Sequence, residues 1–221
     1  MSSHSTIDAA ASLISPQVSS DQFTQSAPLK LGIMASGNGS NFEVVAQAIA
    51  DRRLNAQIQV LIYNNPSAKA AARAANRGVE AVLLNHRDYK SRKDFDRQIV
   101  QRLRQYDVEW VIMAGWMRLV TQVLIDGFPD KIINIHPSLL PSFKGIQAVE
   151  QALASGVKIT GCTVHLVCLE VDSGPILMQA AVPVLPDDTS ETLHARIQVQ
   201  EHRILPLAIA LAAQKQSLAA V

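Results

Sequence analysis

After Pro28, short apolar runs alternate with amphipathic stretches along most of the chain. "LKLGIMA" (29–35), "AQIQVLIYN" (56–64), "VEAVLLN" (79–85), "WVIMAG" (110–115) and "KIINIH" (131–136) are rich in Val, Ile and Leu and alternate little. Such runs belong to strands covered on both faces. Between them the spacing predicts an amphipathic helix from about Asn41 to Ala50. An Ala-rich helix in "AKAAARAANRG" stops at Gly78, a charged helix covers roughly 91–106, and a short helical segment precedes residue 131. This repetition predicts a Rossmann-like, doubly wound α/β fold with a mostly parallel sheet and right-handed crossovers. The last third departs from it. "ITGCTVHLV" (159–167) and "PILMQAAVPV" (175–184) are joined by "CLEVDSG", too short for a helical crossover, so they form an antiparallel pair. A long C-terminal helix starts near Thr189, where Asp188 and Glu191 have capping-box spacing, and runs to about Ala213 with a kink at Pro206.

Residues 1–28 differ in composition: rich in Ser and Gln, without Lys or Arg, and without sustained periodicity. They lack the basic start and continuous apolar segment of a signal peptide and the arginines of a transit peptide. A disordered Ser-rich tail is expected, with a short docking helix around Ile7–Ile14 as the alternative. Residues 29–221 then make a single domain. A net charge of +1 carries no basic footprint for a long nucleic acid. Cys162 and Cys168, the two cysteines, supply neither a disulfide framework nor a four-ligand zinc site. No apolar run reaches the 18 residues of a membrane span. A cytoplasmic protein without a metal, a nucleic-acid partner or a membrane is expected, and both a monomer and a homodimer stay open.

In such sheets ligands bind beyond the carboxyl ends of the strands, and three features fall there. "ASGNGSN" (35–41) joins the first strand to the first helix. Gly37 and Gly39 permit tight geometry, the helix start offers free N–H groups, and Ser40 and Asn41 add donors, which suits one phosphate. The alternative is a tight turn and nothing more. Phe42 and the pair Asn64-Asn65 exclude a dinucleotide fingerprint, and no Gly-Lys-Ser/Thr is present for a Walker loop. Asn134 and His136 are two apart at a strand end and share a face. Asp172, in "EVDSG", is either a surface turn residue or a carboxylate beside His136 that holds its imidazolium. With no G-x-S-x-G elbow and both cysteines in apolar strand settings, the trio suits acyl transfer to an amine without a covalent intermediate.

"GNGSN", "AGWMRLV", "NIHPSLLPSFKG", "VDSGPIL" and "IQVQEHRILP" follow one another at suitable spacing over roughly residues 29–215. In these the chain resembles the phosphoribosylglycinamide formyltransferases, folate-dependent enzymes of purine synthesis within the formyltransferase superfamily. "NIHPSLLP" marks the superfamily, and "GNGSN" with "QEHRILP" narrows it. The resemblance implies that 10-formyltetrahydrofolate, as co-substrate, formylates the amine of phosphoribosylglycinamide. It makes Asn134, His136 and Asp172 catalytic, and puts the phosphate on Gly39, Ser40 and Asn41, with Gln198 and Glu201 on the ribonucleotide. It lays the folate along Arg92, Met117, Arg118, Leu119, Val120, Asn134, Cys168, Leu169, Glu170 and Val171. From the pattern alone, Leu193, Ile197 and Ile204 form an apolar stripe with Glu201 at its flank. Gln147 and Val149 depart from the family, where relatives often carry histidines. A methionyl-tRNA formyltransferase is expected to need an added basic domain, and a formyltetrahydrofolate hydrolase a preceding regulatory one. A binding module that has lost catalysis is the non-enzymatic rival.

Overall fold

Alternate residues of the central strands enter two separate cores. The computed structural model describes residues 13–18 and 27–219. Strands β1 (Ile14–Ser15), β2 (Leu29–Ala35), β3 (Ala56–Tyr63), β4 (Ala81–Leu83), β5 (Trp110–Met113), β6 (Ile132–His136), β7 (Ile159–Leu166) and β8 (Ile176–Pro183) form one sheet. Its order is β1-β8-β7-β6-β5-β2-β3-β4. The five strands β6-β5-β2-β3-β4 run parallel, whereas the β6–β7, β7–β8 and β8–β1 pairs are antiparallel. Helices α1 (Ser40–Ala50), α2 (Ala70–Asn76), α3 (Arg92–Gln105), α4 (Gln122–Gly127), α5 (Ala148–Ala154) and α6 (Ser190–Ala219) cover both faces.

Leu31, Ile33, Leu61, Ile112 and Ile133 face the core shared with Phe42 and Val45 of α1 and Leu193 and Ile197 of α6. Their neighbours Met34, Val60, Ile62, Val111 and Ile132 enter the opposite core, with Phe95, Ile99 and Leu103 of α3 and Leu124 of α4. Each strand therefore buries both faces, which explains the unbroken apolar runs. Gly32 allows this packing, because a Cβ there would stand 2.5 Å from Leu103 Cδ2. Chain order reverses between β2 and β5, so the crevice for a ligand opens at the carboxyl ends of those strands.

Four details differ from the pattern reading. β4 is shorter than residues 79–85, because this edge strand has only β3 to pair with, over three residues. α6 extends to Ala219 and runs through Pro206. Its cap is Thr189, whose Oγ1 accepts from the Thr192 amide at 3.3 Å, and not Asp188. Asp188 instead receives two hydrogen bonds from Arg196, at 2.6 and 2.9 Å, a charge-assisted fork, and accepts the Leu185 amide at 2.7 Å. Finally, β1 lies inside the stretch expected to be a tail. Ile14 and Ser15 pair with Ala180 and Gln179, and Ile14 and Val18 pack on the core. Composition averaged over 28 residues does not register one apolar side chain meeting a sheet edge. The rest of that stretch, 1–12 and 19–26, and most of the alternative docking helix, lie outside the described residues. Among the described residues no helix is long and apolar enough to cross a membrane.

Candidate active site

The glycine loop is held open by its neighbours. Ala70 N–H donates to the Gly37 carbonyl at 3.1 Å and Arg73 Nε–H to the Asn38 carbonyl at 2.9 Å, tying the loop's acceptors away. Gly39 has φ 73 and caps α1 with no side-chain bond, leaving the first α1 amides for a ligand. A Cβ on Gly39 would stand 2.8 Å from the Cα of Ala70, so only glycine fits. α6 closes on this loop: Gln198 Nε2 donates to Ser40 Oγ at 3.2 Å, and Asn41 Nδ2 to Glu201 Oε2 at 3.4 Å. Glu201 is 5% exposed, and burial pushes its carboxyl up against the opposing bond from Asn41. The Asn41 Oδ1 atom is buried without a partner.

A second wall is the segment 114–121. Ser36 N–H donates to the Gly115 carbonyl at 3.0 Å, and Met117 N–H to Ser36 Oγ at 2.9 Å. Its far end is pinned by buried Asp96, which accepts the Thr121 amide at 2.6 Å. Met117, Leu119 and Leu169 stand exposed at the rim, an apolar patch of the kind that marks a binding surface. Between the walls lies a cleft of about 840 Å³, the size of a small-molecule site.

The floor carries the polar constellation. Asn134 and His136 project from the end of β6, and antiparallel pairing sets His165 of β7 opposite Asn134. Asp172, with φ 50 in the turn after β7, reaches all three. Its Oδ2 is 3.4 Å from His136 Nδ1, and its Oδ1 is 3.5 Å from His165 Nε2 and 3.4 Å from Asn134 Nδ2. The Gly145 amide adds a bond to Oδ2 at 2.9 Å. Burial pushes the Asp172 carboxyl up. The His165 bond, the Gly145 amide and the charge of both rings more than offset this and hold it below the usual range. On its other side His136 Nε2 meets the Phe143 carbonyl at 2.8 Å, so Nε2 carries a hydrogen and Nδ1 is the nitrogen turned to Asp172. Phe143 reaches this position in the left-handed region, at φ 56, unusual for a bulky residue and a common mark of a working site. The loop that carries it is anchored by Leu140 N–H to Thr163 Oγ1 and Gln179 Nε2 to the Leu140 carbonyl, both 3.0 Å.

Residues 29–209 match the formyl transferase family. The chain belongs to the formyl transferase family. It is 40% identical over 180 residues to phosphoribosylglycinamide formyltransferase of Bacillus subtilis, spanning 81% of this chain and 92% of that one. It is 40% identical over 184 residues to the trifunctional purine biosynthetic protein adenosine-3 of Homo sapiens; this spans 83% of this chain but 18% of that longer protein. The fold superposes on the crystal structure of glycinamide ribonucleotide transformylase 1 from Symbiobacterium toebii with a TM-score of 0.85 and 44% identity, covering 86% of this chain and 90% of that one.

In this formyl transferase the cleft gathers Gly39, Ser40, Asn41, Gln198 and Glu201 at one end and Arg92, Met117, Arg118, Leu119 and Val120 at the other. Asn134, His136 and Asp172 lie on the floor, with Cys168, Leu169 and Val171 beside them. Glu170 is not on the wall: it is exposed and turns outward to Lys144 at 3.3 Å. Cys162 is sealed in the core, burial pushing its thiol up beyond the range of a nucleophile. His165 and the Phe143 carbonyl were not anticipated. A histidine in the apolar strand "ITGCTVHLV" was the available signal for the first, and nothing local marks the second. Gln147 lines the cleft at the foot of α5, whereas Val149 is buried in the core and off the wall. Among the described residues no group of three or more His, Cys, Asp and Glu is placed to hold a metal ion.

Proposed function

We propose that the protein transfers the formyl group of 10-formyltetrahydrofolate to the amine of 5′-phosphoribosylglycinamide, giving formylglycinamide ribonucleotide and tetrahydrofolate, a step of purine biosynthesis. The observation that carries this reading is the approach of Asp172 to within 3.4 Å of His136 Nδ1 on the floor of a cleft that also holds Asn134. The ribonucleotide takes the glycine-loop end, its phosphate on the α1 amides, Ser40 and Asn41, with Gln198 and Glu201 on the sugar. The folate takes the other end, its ring against the 114–121 segment and Leu169, and its acidic part toward Arg92 and Arg118.

The reacting carbon then sits over the trio. The substrate amine attacks the formyl carbon, and the carbonyl oxygen gains negative charge. Asn134 Nδ2 donates to that oxygen, a contribution of about 10²–10³-fold in rate. The amine's proton passes to His136 Nδ1, the nitrogen left free by the Phe143 carbonyl, and Asp172 stabilises the imidazolium formed. The bond from the formyl carbon to the folate nitrogen breaks, and His136 returns its proton to that nitrogen. A new C–N bond replaces the old one, with no covalent enzyme intermediate. Residues 29–221 act as one catalytic domain on these small molecules, in the cytoplasm, as a monomer or homodimer.

The test is incubation with both substrates while tetrahydrofolate release is followed, with a parallel run in which water is the only acceptor. Release that requires the ribonucleotide supports transfer. Equal release without it makes the protein a hydrolase, and none in either run refutes the assignment.

A further inference from the structure

His194 lies one helical turn before Gln198 and two before Glu201 on α6, so the three share one helix face. All three line the cleft with the start of α1. That end is built for a ligand: Asn41 lines the cleft, is 7% exposed and keeps a buried Oδ1 without a partner, and the α1 amides have no side-chain cap. It is short of positive charge. The loop offers neutral donors, and the cationic wall residues Arg92, Lys93 and Arg118 come from α3 and the 114–121 segment. Arg73 of α2 lies behind the loop, bonded to the Asn38 carbonyl and off the cleft wall. The facing segment 145–148 has no charged residue. Among charged groups on α6, Glu201 has a carboxylate that feels the ring's charge, and Glu191 stands three residues earlier. A phosphate dianion placed near Glu201 without a cation would meet like charge in a partly dry site.

We infer that His194 is the cationic contact for the substrate phosphate, its imidazolium facing the dianion held by Gly39, Ser40 and Asn41, and that it sets the preference for a phosphorylated over a dephosphorylated amine. The inference rests on the functional reading above. His194 is exposed on a helix surface, so its replacement leaves the core intact. The pairing adds a charge-assisted bond to a site otherwise made of neutral donors.

The experiment measures KM for glycinamide ribonucleotide and for its dephosphorylated riboside, at saturating formyl folate, in the wild type, His194→Ala and His194→Arg. Calorimetric titration of each free protein with inorganic phosphate accompanies it. His194→Ala is expected to raise KM for the ribonucleotide and to weaken phosphate binding, each about tenfold. Its kcat stays within twofold, riboside kinetics do not change, and His194→Arg recovers most of the loss. A KM within twofold of wild type, or an equal rise for the riboside, overturns the inference. Phosphate binding that depends on His194 without formyl transfer sinks the reaction and leaves the phosphate contact standing. Transfer that ignores His194 does the reverse.

Discussion

Replacing Asp172 by Asn removes one charge and little else. The backbone there has φ 50, which Asn tolerates as well as Asp, so no strain is added. The Gly145 amide, 2.9 Å from Oδ2, keeps an oxygen acceptor if the new amide is oriented to it. What disappears is a carboxylate 3.4 Å from His136 Nδ1 and 3.5 Å from His165 Nε2. At an effective permittivity of about 20, unit charges 3.4 Å apart interact by about 5 kcal/mol before solvation is subtracted. Desolvation of the carboxylate offsets part of this, leaving about 3–4 kcal/mol of support for the positive charge that develops on the ring in the transition state. At 1.36 kcal/mol per factor of ten, kcat should fall roughly 10²–10³-fold. KM for the ribonucleotide should change little, because the phosphate end is untouched. Stability gives a second measure. The Asp172 carboxyl is held below its ordinary value of 3.8, so its contribution is present above that pH and lost as pH falls through the lower folded value. The Asn variant should therefore melt below wild type at pH 7, with the gap closing below about pH 4. Tetrahydrofolate release and thermal melts across pH are the assays. A kcat within fivefold of wild type would refute the argument that this charge supports His136.

Three further perturbations probe other parts of the cleft. His136→Ala should lower kcat by about 10²–10⁴-fold and leave KM for the ribonucleotide within threefold; retained turnover in steady-state assays would remove it from the chemistry. Glu201→Gln should weaken ribonucleotide binding yet stabilise the fold at pH 8 by about 1 kcal/mol, or roughly 2–4 °C. Burial raises this carboxyl above its ordinary 4.5, so wild-type stability is lost as pH rises through the higher folded value. Melting curves that stay parallel from pH 4 to 8 would contradict that sign. Gly39→Ala forces a left-handed alanine into the backbone of Ala70 and should cost about 2 kcal/mol or more. An unchanged denaturation midpoint would mean that the loop relaxes freely.

Sequence alone determined the local elements, because their causes are local. Apolar runs of β2, β3, β5 and β6 read as strands buried on two sides, and Gly78 ended α2 where the pattern placed it. The short "CLEVDSG" link required β7 and β8 to be antiparallel. Asn134 and His136 shared a face by strand period, and the family motifs pointed to Asp172. Tertiary structure decided what those side chains meet. Antiparallel pairing of β6 with β7, a contact between segments far apart along the chain, brought His165 opposite Asn134, and one residue of slip would have turned it into the opposite layer. The left-handed turn at Phe143 aimed a carbonyl at His136 Nε2, and a main-chain acceptor leaves no trace in residue type. Packing of α6 on α1 buried Glu201, from the edge of an apolar stripe, beside the glycine loop at one end of the cleft, and pairing of β1 with β8 brought Ile14 to the sheet edge. Periodicity reports which way a side chain points, whereas register and helix docking depend on the whole chain's packing and choose its partner.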